Sequence, residues 1–319
     1  MNNRELEAAW NYHNRTKHSY HSVRNSSHFL DWENQPLPFK IYSNLDPISL
    51  PHDLNSSGVS ALKAIADPGP RKETKTKIDK QLLAEILHFA AGITKRRTYP
   101  GGEILFRAAA CTGALYHIDL YAVCGELEDL AAGIYQFSPQ DFSLRRLREG
   151  DYRPNLVAAS GDDPNVVGAP VTLVCASTYW RNSWKYQARA YRHCYWDNGT
   201  ILGNLLAVAA ARQVRSSVIL GFVDSEVGDL LSLDPQREAP LSLVPLGSGS
   251  SDLPPPSLAV KPLHQETSPL SKKEIDYPAI REMHLASSLE RGEEVTLWRQ
   301  HAKAASKAKT GATPGGTVL

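Results

Sequence analysis

Two stretches of this chain combine residue types that could do chemistry. The first, "FRAAACTGALYHIDLY" (106–121), is a run of small residues around Gly113 that leads straight into a strand pattern. Such a run lets backbone N–H groups approach a flat or phosphorylated ligand closely. In the second, "WRNSWKYQARAYRHCYW" (180–196), Lys185 and Tyr186 stand side by side. A Lys beside a Tyr supplies two proton-transfer groups whose pKa values burial can shift. On a helix their side chains diverge by about 100°, so they cannot do identical jobs. If Lys185 faces a pocket, the apolar Trp184 region and the cations Arg181 and Arg189 should lower its pKa. If it does not, it joins Arg181, Arg189 and Arg192 on a solvated stripe. Read singly, each stretch has a plainer meaning first: a tight turn, and a half-exposed helix.

Other candidates fall away. The chain contains no G-x-S-x-G, no Walker loop, no H-E-x-x-H and no G-x-G-x-x-G after a strand. Cys111, Cys124, Cys175 and Cys194 form no C-x-x-C pair and keep no regular spacing, so they read as small buried hydrophobes. Cys111 stands apart because it lies in the small-residue turn. His13, His18, His21 and His28 match no ligand spacing, and no acid or Cys is interleaved before Asp31. No metal site is expected.

The elements that must position the two stretches can be read from periodicity. Asp79 is a helix N-cap, Leu83, Ile86, Leu87 and Ala90 form one apolar stripe, and Gly92 closes that helix. Strands are expected at 117–124, on either side of a Ser-Pro-Gln-Asp turn within 132–147, at 169–177 and at 216–223. In 180–196, Trp180, Trp184, Ala188, Tyr191 and Tyr195 line one helical face. The next stretch, 200–214, is apolar nearly all round and should be a buried helix. Helices and strands mix without a repeating βα unit, which makes the class α+β.

The chain divides into an arm (1–66), a domain (67–247), a Pro/Ser-rich linker (248–272) and a helical tail with a disordered end (273–319). Of 319 residues, 42% are hydrophobic and 22% charged; Lys plus Arg (35) nearly cancels Asp plus Glu (34). A net charge of +1 argues against nucleic-acid binding by bulk charge. No run approaches the roughly 18 apolar residues of a membrane span, and the amino terminus lacks a signal-peptide core. A cytoplasmic location is expected.

Six segments in order carry a resemblance. "FRAAACTGALYHIDLYAV", "AGIYQF", "LREGDYR", "APVTLVCASTYWRNSWKYQARAYRHCYWDNGTILGNLLAVAAA" and "GFVDSEVGDLLSLDPQREAPLSLVPLG", with the arm "YHNRTKHS…LDWENQPLPFKIY", resemble the SagB-type dehydrogenase group of the nitroreductase superfamily. These are flavin enzymes related to the azoline oxidases of thiazole and oxazole peptide biosynthesis. The resemblance implies an α+β fold with a mostly antiparallel sheet and FMN at a dimer-type interface. It implies flavin contacts at Cys111, Thr112, Gly113, Gly221 and Phe222, and proton transfer by Lys185 and Tyr186. The family's Arg-Arg-Ser-x-Arg phosphate anchor aligns with "RKETKTK", where Arg71, Lys72 and Lys75 keep the charge and Glu73 replaces the serine. Lys attracts a phosphate but lacks the bidentate fork of Arg. Ser248 stands where a basic residue usually follows the terminal Leu-Gly. "PLSKKEIDYPAIREMHLASSLE" resembles the linker between two halves of longer SagB-type proteins.

The expected function is FMN-dependent hydride transfer of SagB type, with azoline-to-azole oxidation as the nearest reaction and nitro or quinone reduction at the same kind of site as another. A small-molecule or peptide substrate is implied, with a homodimer or a heterodimer with a similar flavoprotein half. The competing expectation is a non-catalytic half-domain that completes a flavin site on a partner.

Overall fold

The period-two runs of the sequence become a six-stranded antiparallel sheet in the computed structural model, which describes residues 5–67, 76–100, 102–248 and 257–310. Its strands are β1 (Pro47–Ser49), β4 (Ile118–Cys124), β5 (Gly133–Ser138), β6 (Ser143–Glu149), β7 (Val171–Thr178) and β8 (Glu238–Leu246). They lie in the order β1-β6-β5-β4-β7-β8, and every pairing is antiparallel. A separate hairpin joins β2 (Ile93–Tyr99) to β3 (Gly102–Arg107). Its residues are mostly exposed, so no apolar alternation announces it.

Helices cover both faces. They are α1 (Leu6–Thr16), α2 (Tyr20–Arg24), α3 (Ala61–Ala66), α4 (Lys80–Ala91), α5 (Arg153–Ala159) and α6 (Pro164–Val167). After them come α7 (Tyr179–Tyr186), α8 (Ala190–Ala211), α9 (Asp224–Leu231), α10 (Pro278–Ser287) and α11 (Gly292–Thr310). Successive strand residues point to opposite faces. On β4, Ile118, Leu120 and Ala122 therefore join α4 and α8 in one core, while Tyr121 and Val123 join α5 and α9 in another. The α4 stripe is as the sequence predicts. Asp79 caps Leu82 N at 2.7 Å, and Leu83, Ile86, Leu87 and Ala90 are fully buried. Each buried Leu or Ile contributes about 1.5–3 kcal/mol.

Three expectations need correction. Residues 216–223 form no strand, only isolated bridges from Ser216 to Leu246, from Ile219 to Leu243 and from Val223 to Leu289. The strand beside β7 is β8 instead, and it carries Pro240 and Pro245. Prolines are tolerated there because β8 ends the sheet order, and an edge strand leaves one side of its backbone outside the ladder. The helix expected across 180–196 breaks at Gln187, whose φ of 51° is left-handed. The arm is less extended than its composition suggests: α1 has Tyr12 and Thr16 buried, and Tyr12 donates to Ala188 O at 2.7 Å. Two buried residues in eleven leave no apolar stripe to read.

The described parts of the arm and of the tail pack on the sheet-bearing body. Leu37 N donates to Leu270 O at 2.8 Å, Ser43 N to Glu266 O at 2.9 Å, and Tyr42 bridges Thr267. Ile280 of α10 joins the α4/α8 core, while Leu289 and Val295 are buried in a small separate cluster with Val223. Among the described residues no helix is long and apolar enough to cross a membrane.

Candidate active site

The small-residue turn enters β4 in a strained conformation. Gly113 has φ 68°, Ala114 54° and Tyr116 48°. Left-handed φ costs a non-glycine residue roughly 1–2 kcal/mol, so the surroundings must hold it. Ala114 N donates to Cys111 O at 2.9 Å, and Arg107 N donates to the Tyr116 hydroxyl at 3.2 Å. The Arg107 guanidinium lies 4.9 Å from the Tyr116 ring centroid. Arg181 donates to Tyr116 O at 2.9 Å from the far side.

Arg181 heads a buried charge chain. It pairs with Asp119; the Thr178 hydroxyl bridges Asp119 at 3.2 Å and Glu238 at 3.1 Å; and Lys40 donates to both Glu238 oxygens at 2.8 Å. Arg181 is thus 0% exposed, not on a solvated stripe. Arg189 and Arg192 donate to Thr16 of α1, at 2.7 Å and 2.9 Å. The cationic surroundings expected for Lys185 are accordingly matched by other partners.

The second stretch meets the first. A β-carbon built on Gly113 would lie 2.9 Å from the Tyr186 hydroxyl and 3.4 Å from Lys185 Cδ, so α7 is seated directly against the turn. Tyr186 packs edge-on to His193 at 4.5 Å, His193 meets Asn182 at 2.7 Å, and Asn182 donates to Thr112 O at 3.5 Å. Burial raises the Tyr186 pKa, and the nearby Asp197 and Cys111 raise it further, so Tyr186 stays a phenol.

Asp197, on α8, gathers the turn from beneath and was not indicated by any motif. Its carboxylate accepts from Thr112 N (3.0 Å), Thr112 Oγ1 (2.7 Å), Cys111 Sγ (3.1 Å) and His117 Nε2 (2.8 Å). The donor atoms of Cys111, His117 and Asp197 lie within 4.8 Å of one another, a spacing compatible with a metal ion. Here they bond to each other. Burial pushes the Cys111 thiol up to about 12, and Asp197 adds to the shift. His117 and Asp197 are 80 positions apart, with strands and helices between them, so no local spacing announces the cluster.

A model of the nitroreductase family matches residues 70–248, more than half of the chain. The chain belongs to the nitroreductase family. This nitroreductase is 25% identical over 165 residues to a protein named as a nitroreductase from Methanocaldococcus jannaschii, covering 52% of this chain and 78% of that one. A crystal structure of a nitroreductase from Anabaena variabilis matches with TM-score 0.69 and 27% identity, over 89% of this chain and 55% of that one. The present chain therefore spans little more than half the length of the Anabaena protein. A more distant nitroreductase from Exiguobacterium sibiricum, solved in complex with FMN, matches at 12% identity and TM-score 0.41, over 65% of this chain and 95% of that one.

In this nitroreductase the turn presents an open, small-residue face: Ala110, Gly113 and Ala114 are exposed and carry nothing larger than a methyl group. The fold brings Cys111, Thr112, Gly113, Lys185 and Tyr186 together. It does not bring Gly221 and Phe222 to them. Phe222 is buried in the α5/α9 core on the other face of the sheet, and Trp298 of α11 covers Gly221, where a β-carbon would fall 2.6 Å from the indole. Arg71, Lys72 and Lys75 lie outside the described residues.

Proposed function

We propose that this nitroreductase is an FMN-dependent oxidoreductase of SagB type that moves a hydride between a substrate carbon and N5 of the flavin. The contact of Gly113 with Tyr186 and Lys185 carries the reading, because it joins the small-residue turn to the proton-transfer pair. Bound FMN supplies the hydride chemistry, and the protein supplies orientation and charge. Tyr186, kept as a phenol, orients a substrate or donates a proton. Lys185, half-buried with Nζ 5.6 Å from the Tyr186 ring centroid, is the group assigned to proton removal. Arg71, Lys72 and Lys75 are assigned to the FMN phosphate on the resemblance of "RKETKTK" to the family anchor. Azoline-to-azole oxidation is the nearest substrate chemistry, and nitro or quinone reduction would use the same groups. The protein is assigned to the cytoplasm.

A second reading, a half-domain that completes a flavin site on a partner, has its own support. The cavity beside the turn, lined by Arg107, Cys111 and Asp197, holds only about 10 Å³. The stretch 200–214, expected to be buried all round, has Leu202, Leu206, Ala207 and Val208 only half-buried, and Trp196 earlier on α8 is 54% exposed. On either reading a second copy or a similar flavoprotein half closes the site.

Titration of the purified protein with FMN, followed by flavin fluorescence and light scattering, tests both. Yellow dimeric protein, with at least about tenfold weaker affinity after Arg71, Lys72 and Lys75 are changed together to Ala, supports the enzyme. Colourless protein that takes up no FMN supports the half-domain. A monomer that holds stoichiometric FMN overturns the shared site.

A further inference from the structure

Asp197 is the one carboxylate that reaches the Cys111–Tyr116 turn from α8, and its hydrogen bonds are saturated. A carboxylate offers about four lone-pair positions. Two protons from Thr112, one from Cys111 and one from His117 occupy them. The His117 tautomer is fixed by the carboxylate it faces. The Asp197 carboxylate can only accept, so the bond at Nε2 needs the ring proton there, and Nδ1 of the neutral ring then accepts from the Ser177 hydroxyl 2.8 Å away. Burial keeps the fully buried ring neutral by lowering its pKa. Burial opposes the charge on Asp197, but the bonds from His117 and Thr112 more than offset it and hold the carboxyl below its usual range. The result is a fixed anion beneath a turn in which two non-glycine residues, Ala114 and Tyr116, are left-handed and need their surroundings to hold them.

We propose that Asp197 is a positioning residue: it sets the ring-facing conformation of the turn and, in doing so, holds Cys111 as an unreactive thiol. The statement about the turn stands independently; its consequence for flavin rests on the function proposed above. Asp197→Asn replaces an acceptor by an N–H donor facing donors, so the turn loses its post.

The test reads two quantities on the full chain. One is the rate and pH profile of iodoacetamide labelling at each cysteine, located by mass spectrometry. The other is FMN affinity. Wild-type Cys111 should label slowly, because its pKa is pushed up to about 12. In Asp197→Asn it should label at least about tenfold faster at neutral pH, with its profile moved to lower pH. The buried Cys124, Cys175 and Cys194 should stay unlabelled, and FMN should bind about tenfold more weakly. Unchanged Cys111 labelling overturns the proposal. Labelling of all four cysteines together also overturns it, since Asp197 would then merely support the fold. Faster Cys111 labelling with unchanged FMN affinity overturns the flavin consequence. If wild type binds no FMN, the proposed function fails while the labelling still decides the turn. Should Asp197→Asn not fold, Thr112→Val removes the 2.7 Å hydroxyl bond and must shift both readouts in the same direction by a smaller factor; no shift in either overturns the proposal.

Discussion

The Tyr186 hydroxyl stands against Gly113 so closely that a β-carbon there would come within 2.9 Å of it. Two motifs far apart in the chain thus share one surface, and the absence of a side chain at position 113 is what permits it. Gly113→Ala should lose about 1–2 kcal/mol from its left-handed φ alone. It should also displace the phenol and weaken FMN binding. Urea unfolding with a flavin titration checks this; wild-type values for both would show that Tyr186 moves freely aside.

Lys185 and Arg192 belong to one apparent basic stripe but should behave differently. Lys185→Ala should keep its fold and bound FMN yet lose at least ~10² in the rate of flavin reduction by substrate, the usual scale for a general base. Arg192 donates to His13 O and Thr16 Oγ1 of α1, so Arg192→Ala should loosen the arm and leave that rate near wild type. Stopped-flow reduction of both variants separates them. Equal rates for Lys185→Ala and wild type would remove the base assignment.

Lys40 lies in the arm, outside the matched family segment, yet it neutralises Glu238 at the end of β8. Lys40→Met should cost about 3–5 kcal/mol because it leaves a buried carboxylate unpaired. Changing Glu238→Gln as well should restore part of the loss. Denaturation of the single and double variants decides; a single variant as stable as wild type would mean that water reaches Glu238.

Asp224 ties the tail to the body by accepting from Leu289 N at 3.0 Å. Burial raises its pKa from 3.8 to about 7. His284, 3.8 Å away, is pushed down to about 4 by burial and stays neutral above that, so it supplies no compensating charge near pH 7. The folded state therefore holds the Asp224 proton more tightly than the unfolded chain, and this group's stabilisation falls as pH rises from about 4 to about 7. Asp224→Asn should gain stability over wild type at pH 8, by on the order of 1–4 kcal/mol, and little at pH 4. Thermal melts at the two pH values measure it. An equal effect at both would show that ionisation of Asp224 is not the cause.

What the sequence by itself determined is local. The Asp79 cap and the Leu83–Ala90 stripe specify α4, and the Ser-Pro-Gln-Asp turn sets the β5–β6 hairpin, because caps, turns and periods act between near neighbours. The ordered segments from "FRAAACTG" to "LVPLG" were enough to mark the family. The tertiary structure decided everything that depends on distant partners. It made β8, not 216–223, the strand beside β7, since an edge position relieves the prolines of β8 of their missing N–H groups. It buried Arg181, which helical spacing puts in line with the half-buried cations Lys185, Arg189 and Arg192, because Asp119 on β4 balances its charge. It placed Asp197 under Cys111, Thr112 and His117, a relation that no periodicity encodes, because a hydrogen bond between β4's entry and α8 exists only after the sheet and its helices have packed.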